Sequence, residues 1–163
     1  EVRVFVFDFD GVLTNNNVYL DENGKETVVC SRSDGLAFDV LRKLKKPAYI
    51  LSTEENPVVS ARAKKLKIYA MQGVINKVSG IQEIAKKENC KLENVLYVGN
   101  DLNDYRVMGI CGFSVCPADG HYKIKKISGI VLKTDGGQGI VRELLEDVLK
   151  LDFIEILYKG GSE

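Results

Sequence analysis

The sequence predicts an α/β fold, a Rossmann-like doubly wound parallel sheet in a single domain. Short apolar runs rich in β-branched and aromatic residues alternate along the chain with stretches of helical spacing, which is the pattern of a parallel sheet covered by helices. A length of 163 residues suits one domain. The 23 basic residues equal the 23 acidic ones, which argues against a nucleic acid or a membrane surface as the main partner.

The first predicted elements are a buried strand and a β-hairpin flap. Val2–Phe7 is apolar apart from Arg3 and is rich in β-branched and aromatic residues, so we expect a buried strand. Two shorter strand patterns flank Asn23-Gly24, a pair that favours a tight turn, and together they predict a hairpin at about residues 17–30. Asp34 precedes apolar residues at helical spacing and is expected to cap that helix.

The remaining elements alternate between strands and helices up to about residue 150, and we expect residues 1–150 to form one domain. Residues 151–163 form a tail, whose apolar part, 151–158, is expected to pack on its own domain or to reach a neighbouring subunit. The predicted strands are 47–51, 67–71, 94–98, 112–115 and 129–132, and the predicted helices are 57–66, 74–89, 102–108, 121–127 and 139–149.

The cysteines and the apolar runs indicate the compartment. Four cysteines without a CxxC pair, together with a single histidine, do not match the spacing of a zinc site. We expect four reduced thiols, which favours the cytoplasm. Since no apolar run approaches 18 residues, no membrane span is expected.

Polar residues follow four of the predicted strands, at the edge where parallel sheets bind their ligands. Period-two alternation places the carboxylates of Asp8 and Asp10 on the same side of the chain, and Gly11 allows a sharp turn after them. Two adjacent carboxylates repel unless a cation lies between them, and hard oxygen ligands suit Mg²⁺. The other polar residues at this edge are Ser52, Thr53, Lys77, Asn100, Asp101 and Asp104.

These residues resemble the motifs of the haloacid dehalogenase (HAD) superfamily of phosphatases. Asp8-Phe9-Asp10-Gly11-Val12-Leu13-Thr14 is similar to the first motif, DxDGxxT. Ser52 closing a strand, Lys77 beginning a helix and the acidic loop Gly99–Asp104 resemble the second, third and fourth motifs, in the same order. The resemblance covers roughly residues 4–142.

The resemblance implies a mechanism. Asp8 would attack phosphorus and form an aspartyl-phosphate, and Asp10 would protonate the leaving group and then activate water. Ser52 and Lys77 would hold the phosphoryl oxygens. Mg²⁺ is the implied cofactor, with Asp8, the main-chain carbonyl of Asp10 and a fourth-motif side chain as ligands. Asp104 has an alternative role, that of orienting Lys77 or metal-bound waters; the candidate fourth-motif ligands are Asn100, Asp101 and Asp104.

Asn100 departs from the family pattern, which usually has aspartate at this position. Its amide still offers an oxygen to Mg²⁺, but the site loses one negative charge, so the affinity for Mg²⁺ should fall. A weakly active or non-catalytic domain kept for assembly is therefore one alternative. A phospho-acceptor signalling domain fits worse, because Asp10 would hydrolyse the acyl phosphate.

The intervals between the motifs hold a hairpin and single helices but no cap domain, and this pattern resembles the capless branch of the superfamily. That branch includes 3-deoxy-D-manno-octulosonate (KDO) 8-phosphate phosphatases of lipopolysaccharide biosynthesis, 9-phosphate phosphatases of nonulosonic (sialic-type) acids, and C-terminal domains of CMP-sialate synthetases. The resemblance implies a phosphorylated 2-keto-3-deoxy sugar acid as substrate. It also implies a homotetramer whose hairpins form a shared barrel, since an open edge needs a neighbour to exclude water.

Further residues are candidates for contact with the substrate. Arg62 and Lys65 lie three apart on one predicted helix and could bind a sugar carboxylate, although a solvated basic helix face explains them equally well. Gly136 and Gly137 precede a helix, where their amides could meet an anion or form a plain loop. The other candidates are Thr14, Thr53 and Glu54. His121 is expected at a helix start or on the surface rather than as a ligand.

Overall fold

The computed structural model describes residues 1–159 and consists of a parallel sheet with helices on both faces. Six strands form the sheet in the order β5-β4-β1-β6-β7-β8, and all five neighbouring pairs are parallel. This architecture confirms the predicted doubly wound α/β fold. The strands of the sheet are β1 (Val4–Phe7), β4 (Ala48–Leu51), β5 (Tyr69–Met71), β6 (Val95–Val98), β7 (Phe113–Cys116) and β8 (Ile130–Val131).

The helices divide between the two faces of the sheet. One apolar cluster joins the sheet to α1 (Ser33–Lys43), α2 (Val58–Leu66) and the C-terminal helix, which is α-helical as α6 (Ile140–Arg142) and π-helical over Glu143–Val148. The second cluster joins the sheet to the other three helices, α3 (Lys77–Lys87), α4 (Tyr105–Ile110) and α5 (Tyr122–Ile127). Because β1 lies between β4 and β6 and is buried throughout, the residues that follow it lie at the middle of the carboxyl edge of the sheet.

The hairpin follows β1 as predicted. Its strands β2 (Tyr19–Leu20) and β3 (Glu26–Thr27) pair antiparallel, and a bridge between Thr14 and Cys30 closes its base. Gly24 at the turn has a φ of +79°, a conformation that favours glycine. Tyr19 and Leu20 are about two-thirds exposed, so the hairpin stands out from the sheet. Among residues 1–159, no cap domain accompanies it.

The helix starts show one wrong prediction. Asp34 does not cap α1, because that helix begins at Ser33 and Asp34 lies inside its first turn. The buried carboxylate instead accepts the amide hydrogen of Val141, 3.1 Å away, at the start of α6. Asn76 caps α3, so the helix predicted from residue 74 begins at Lys77. His121 caps α5, as expected for a helix-start residue.

The C-terminal tail packs on its own domain over the part that the structure describes. Phe153 is buried in the cluster under α1, and the Arg142 guanidinium lies 5.0 Å from its ring centre. Glu155–Lys159 is π-helical and contacts α1. The last four residues of the predicted tail, 160–163, lie outside the described residues.

The four cysteines are free, with Cys116 buried and the others half-buried. Within residues 1–159, the helices are too short and too polar to cross a membrane.

Candidate active site

The four motif segments meet at the carboxyl edge of the sheet. Asp8 follows β1, Ser52 follows β4 and Asn100 follows β6, while Lys77 enters from the first turn of α3. These three strand ends line a cavity of about 100 Å³. Typical small-molecule pockets measure about 300–1,000 Å³, so this cavity suits a phosphoryl-sized group rather than a whole sugar phosphate.

Asp8 lies almost completely buried on the floor of the cavity. Its Oδ1 accepts the amide hydrogen of Phe9 at 2.8 Å and pairs with the Lys77 ammonium at 2.9 Å. Among the described residues Oδ2 accepts no hydrogen bond from the protein. Burial and the charge of Asp104 raise the pKa of Asp8 to about 7 against the opposing effect of Lys77.

Asp10 is less buried than Asp8 and lines the same cavity. Burial raises the pKa of Asp10, and the carboxylates of Glu54 and Glu26 raise it further. A carboxyl group with a raised pKa holds its proton closer to neutral pH, which suits a general acid.

Gly11 permits the close approach of the first and fourth motifs. Its φ is +79°, and a Cβ at this position would lie 1.9 Å from Nδ2 of Asn100. A larger residue would therefore push Asn100 away from the two aspartates.

The Asp104 carboxylate is fully buried and takes four hydrogen bonds. Oδ1 accepts from Lys77 Nζ and from the Tyr97 hydroxyl, each at 2.7 Å. Oδ2 accepts from the amides of Asn100 and Asp101, at 2.9 and 3.3 Å. Because protein donors occupy both oxygens, the geometry favours the predicted role of orienting Lys77 over the role of metal ligand.

Lys77 thus lies between two carboxylates, at 2.9 Å from Asp8 and 2.7 Å from Asp104. Burial alone would lower the pKa of Lys77, but the two carboxylates more than offset this, and the pKa is raised. The ammonium stays charged, and its third hydrogen has no acceptor among the described residues.

The donor set fits a magnesium ion. The Oδ1 of Asn100 is buried and has no hydrogen-bond partner in residues 1–159, a costly arrangement unless a cation binds it. Asp101 also lines the cavity, but its Oδ1 accepts the amide hydrogen of Leu102 at 2.7 Å. In the described chain, no three His, Cys, Asp or Glu side chains are arranged so that they alone could hold a metal ion, so other oxygens, such as amide and main-chain oxygens, would complete a metal shell.

Thr14, a predicted substrate contact, does not line the cavity. The side chain is fully buried, and its hydroxyl oxygen accepts the amide hydrogens of Gly11 at 3.2 Å and Asn16 at 3.1 Å. Thr14 therefore fixes the turn that follows the two aspartates.

Gly136 and Gly137 do not face the cavity either. The amide of Gly136 donates to Asp119 at 2.9 Å, and that of Gly137 donates to the Val12 carbonyl at 3.0 Å. Both glycines are buried against the main chain of the first motif, which leaves their amides no free hydrogen for an anion.

The other candidate substrate residues surround the cavity at different distances. Thr53 lines it, and the amide of Glu54 donates to the Ser52 hydroxyl at 3.1 Å. Arg62 donates to the Ser31 carbonyl at 2.8 Å, which ties α2 to the end of the hairpin. Lys65 is exposed on α2. The structure thus places Thr53 and Glu54 at the site and Arg62 and Lys65 farther out.

Three residues of the site were not predicted from the sequence: Asn16, Asn103 and Tyr97. Asn16 and Asn103 line the cavity, and the polar run Asn15–Asn17 directly after the first motif could have indicated the former. Tyr97 supports Asp104 from within a buried strand, where the sequence pattern shows only an apolar position.

Known proteins are similar to this chain over most of its length. Residues 38–144 match a family model described as haloacid dehalogenase-like hydrolase. A 3-deoxy-D-manno-octulosonate 8-phosphate phosphatase, KdsC, of Escherichia coli K12 is 32% identical over 149 residues, which are 91% of this chain and 79% of that protein. The same-named protein of Yersinia pestis is 30% identical and is covered to 80%.

Solved structures share the fold. A putative HAD family hydrolase from Streptomyces avermitilis superposes with a TM-score of 0.87 at 39% identity, covering 89% of both chains. The KDO 8-phosphate phosphatase of Moraxella catarrhalis, in complex with magnesium, phosphate and KDO, gives 0.87 at 29% identity over 91% of this chain and 86% of that one. A cobalt-bound phosphatase from Haemophilus influenzae gives 0.86 at 28% identity, over 91% and 88%.

Proposed function

We propose, since this chain belongs to the haloacid dehalogenase-like hydrolase family, that it hydrolyses a phosphorylated 2-keto-3-deoxy sugar acid, with KDO 8-phosphate as the preferred substrate. The chain is a phosphoric monoester hydrolase and Mg²⁺ is its cofactor. The observation that carries the proposal is the Asp8–Lys77 pair at 2.9 Å, with Asp8 lining one small cavity together with Asp10, Ser52 and Asn100.

Asp8 is the proposed nucleophile. The Phe9 amide and Lys77 both contact its Oδ1, which holds the carboxylate in one orientation and leaves Oδ2 to attack phosphorus. Lys77 and the Ser52 hydroxyl bind the phosphoryl oxygens, so the group is held in line before attack.

Asp10 is the proposed acid and base. Its raised pKa keeps a proton available for the leaving sugar oxygen. Once that proton is gone, the same carboxylate can take a proton from the water that attacks the aspartyl-phosphate.

The magnesium ion would be held by the Asp8 carboxylate, the Asn100 side chain and the main-chain carbonyl of Asp10. The buried Oδ1 of Asn100, which has no partner among the described residues, supports this set. When bound, the cation neutralises part of the negative charge that the carboxylates and the phosphoryl group bring together. We assign Asp104 to orienting Lys77, while Asp101 stays a candidate ligand.

The sugar extends outside the cavity, since about 100 Å³ accommodates the phosphoryl group alone. Thr53, Glu54, Asn16 and Asn103 surround the opening. Arg62 and Lys65 on α2 are the proposed cations for the sugar carboxylate. The opening needs a cover, and we assign it to neighbouring subunits of a homotetramer assembled through the exposed hairpin.

The complete set favours an active enzyme over a domain kept for assembly: Asp8, Asp10 and Ser52 line one cavity, and Lys77 pairs with Asp8. The relatives named as KDO 8-phosphate phosphatases favour that substrate over the nonulosonate 9-phosphates.

The experiment is a phosphate-release assay on KDO 8-phosphate, a nonulosonate 9-phosphate and a generic aryl phosphate, with Mg²⁺ and with a chelator. We expect the highest kcat/KM for KDO 8-phosphate and loss of release with the chelator. A higher kcat/KM for the 9-phosphate would move the assignment to that substrate class. Absence of release from all three compounds would overturn the proposal.

A further inference from the structure

Tyr97 is a buried tyrosine whose hydroxyl reaches the site from below. It lies in β6, fully buried in the apolar cluster on the α3 side of the sheet. Its neighbours in that cluster are apolar apart from a second tyrosine, Tyr49. The Tyr97 hydroxyl donates to Oδ1 of Asp104 at 2.7 Å. A polar group of the apolar core therefore contacts a residue of the fourth motif.

The same oxygen of Asp104 also accepts the Lys77 ammonium, at 2.7 Å. The two donors therefore share one carboxylate oxygen, while the other oxygen is held by two main-chain amides. Lys77 in turn divides its hydrogens between Asp104 and Asp8, at 2.7 and 2.9 Å. The position of the ammonium thus depends on how strongly Asp104 attracts it.

We infer that Tyr97 is a positioning residue for phosphoryl transfer, which keeps Lys77 between Asp104 and Asp8 by sharing the Asp104 oxygen. The inference rests on the proposed function. A buried carboxylate oxygen that loses one of two donors is left undersatisfied. It then draws the remaining donor, Lys77, toward itself and away from Asp8 and the phosphoryl group. The phenol limits this attraction.

Tyr97→Phe tests the inference, because phenylalanine fills the same volume and removes only the hydroxyl. The measurement is kcat and KM for the phosphate ester, together with the competitive inhibition constant of inorganic phosphate, all with Mg²⁺. We expect kcat/KM to fall about tenfold, the order of one hydrogen bond to a charged group. The inhibition constant of phosphate should rise as well, because Lys77 binds the same oxygens in the product.

Tyr49→Phe is the matched control. Tyr49 is buried in the same apolar cluster, and its hydroxyl donates to Glu88 rather than to a motif residue. Urea unfolding of both variants measures the structural effect of losing a tyrosine hydroxyl and its hydrogen bond to a carboxylate. We expect both to lose some stability, and only Tyr97→Phe to change kcat/KM and the phosphate constant.

Two results would overturn the inference while leaving the proposed function in place. In one, Tyr97→Phe keeps kcat/KM and the phosphate constant within about twofold of the wild type. In the other, Tyr49→Phe changes both constants as much as Tyr97→Phe does, which would make the effect a general one on the core. A wild-type protein without turnover would overturn the proposed function and this inference with it.

Discussion

Asn100 is the candidate metal ligand of the fourth motif, a position where aspartate is expected. Its Oδ1 is buried without a partner in the described residues, and its Nδ2 lies against Gly11. As a proposed ligand, an amide at this position would give the cation an oxygen without a full negative charge. The site would then hold Mg²⁺ with fewer charges than a site with aspartate would.

Asn100→Asp should tighten Mg²⁺ binding by about tenfold or more, because a full charge replaces a dipole in the metal shell. Calorimetric titration of Mg²⁺ into the protein measures this without relying on turnover. Asn103→Asp is the control, since Asn103 is an exposed residue of the same cavity. Equal tightening by both substitutions, or none by Asn100→Asp, would remove Asn100 from the metal shell.

Asp34 predicts a dependence of stability on pH. Burial raises its pKa to about 6, against the lowering effects of the Val141 amide and of Arg62 and Arg142. A raised pKa means that the folded state binds this proton more tightly than the unfolded state. The contribution is therefore fully present below the unfolded value near 3.8 and is lost as the pH rises through about 6.

Asp34→Asn should remove this dependence, because asparagine keeps an acceptor for the Val141 amide and carries no charge. Relative to the variant, the wild type should gain roughly 3 kcal/mol of unfolding free energy between pH 7 and pH 3.5. Urea unfolding of both proteins across that range provides the comparison. Parallel curves for the two proteins would contradict the assignment.

The residues of the first three motifs were predictable from sequence because each motif is local. Asp8 and Asp10 follow an apolar strand directly, and the topology of a parallel sheet brings the other motifs to the same edge. The role of Thr14 was not predictable, since its hydroxyl binds main-chain amides of its own turn. Asp34 illustrates the same limit over a longer range, as its partner lies 107 residues away.

At the level of elements, the glycine loop before α6 supports the first motif rather than binding an anion. A Cβ on Gly136 would lie 2.0 Å from the carbonyl oxygen of Gly11. The loop and the turn after Asp10 are therefore packed main chain against main chain. The two segments lie more than 100 residues apart. The sequence shows only glycines before a helix, a pattern that suggests an anion site, and does not reveal the long-range contact.

Gly136→Ala should destabilise the protein by about 1–3 kcal/mol, because the main chain must move to admit the methyl group. Thermal unfolding measures this. Activity should fall too, since the turn that moves carries Asp10. Gly35→Ala is the control, because nothing lies within 4 Å of its added Cβ and the position is helical. A variant Gly136→Ala as stable as Gly35→Ala would show that the contact is not tight.

Helix and strand positions were predicted to within a few residues where apolar periodicity continued to the end of the element. A difference of three residues occurs in α3, which starts at Lys77 because Asn76 caps it. That shift places Lys77 in the first turn, at the sheet edge, and so has a direct consequence for the site. The boundary depended on capping chemistry that periodicity does not report.

At the level of the whole molecule, the site is open and the hairpin beside it exposes an apolar segment. Val18 is about half exposed and Tyr19 and Leu20 about two-thirds, an arrangement that favours burial against another chain. The exposed hairpin and the small cavity support the same proposal, an assembly in which subunits cover each other's sites.

Sedimentation should therefore show a tetramer. Replacing Tyr19 and Leu20 by glutamate should shift the protein to smaller species, because charges would enter the apolar contact. Val131→Lys is the control, since Val131 is an exposed residue of the edge strand β8, where added charge is tolerated. A wild-type monomer, or equal dissociation of both variants, would contradict assembly through the hairpin.

The account depends most on Asp8 as the nucleophile of a magnesium-dependent phosphatase. The direct measurement is phosphate release from KDO 8-phosphate by the wild type and by Asp8→Asn, side by side at saturating Mg²⁺, with folding verified by circular dichroism. The account predicts steady release by the wild type and none above background by the folded variant. Turnover by Asp8→Asn at a rate comparable to that of the wild type would contradict it.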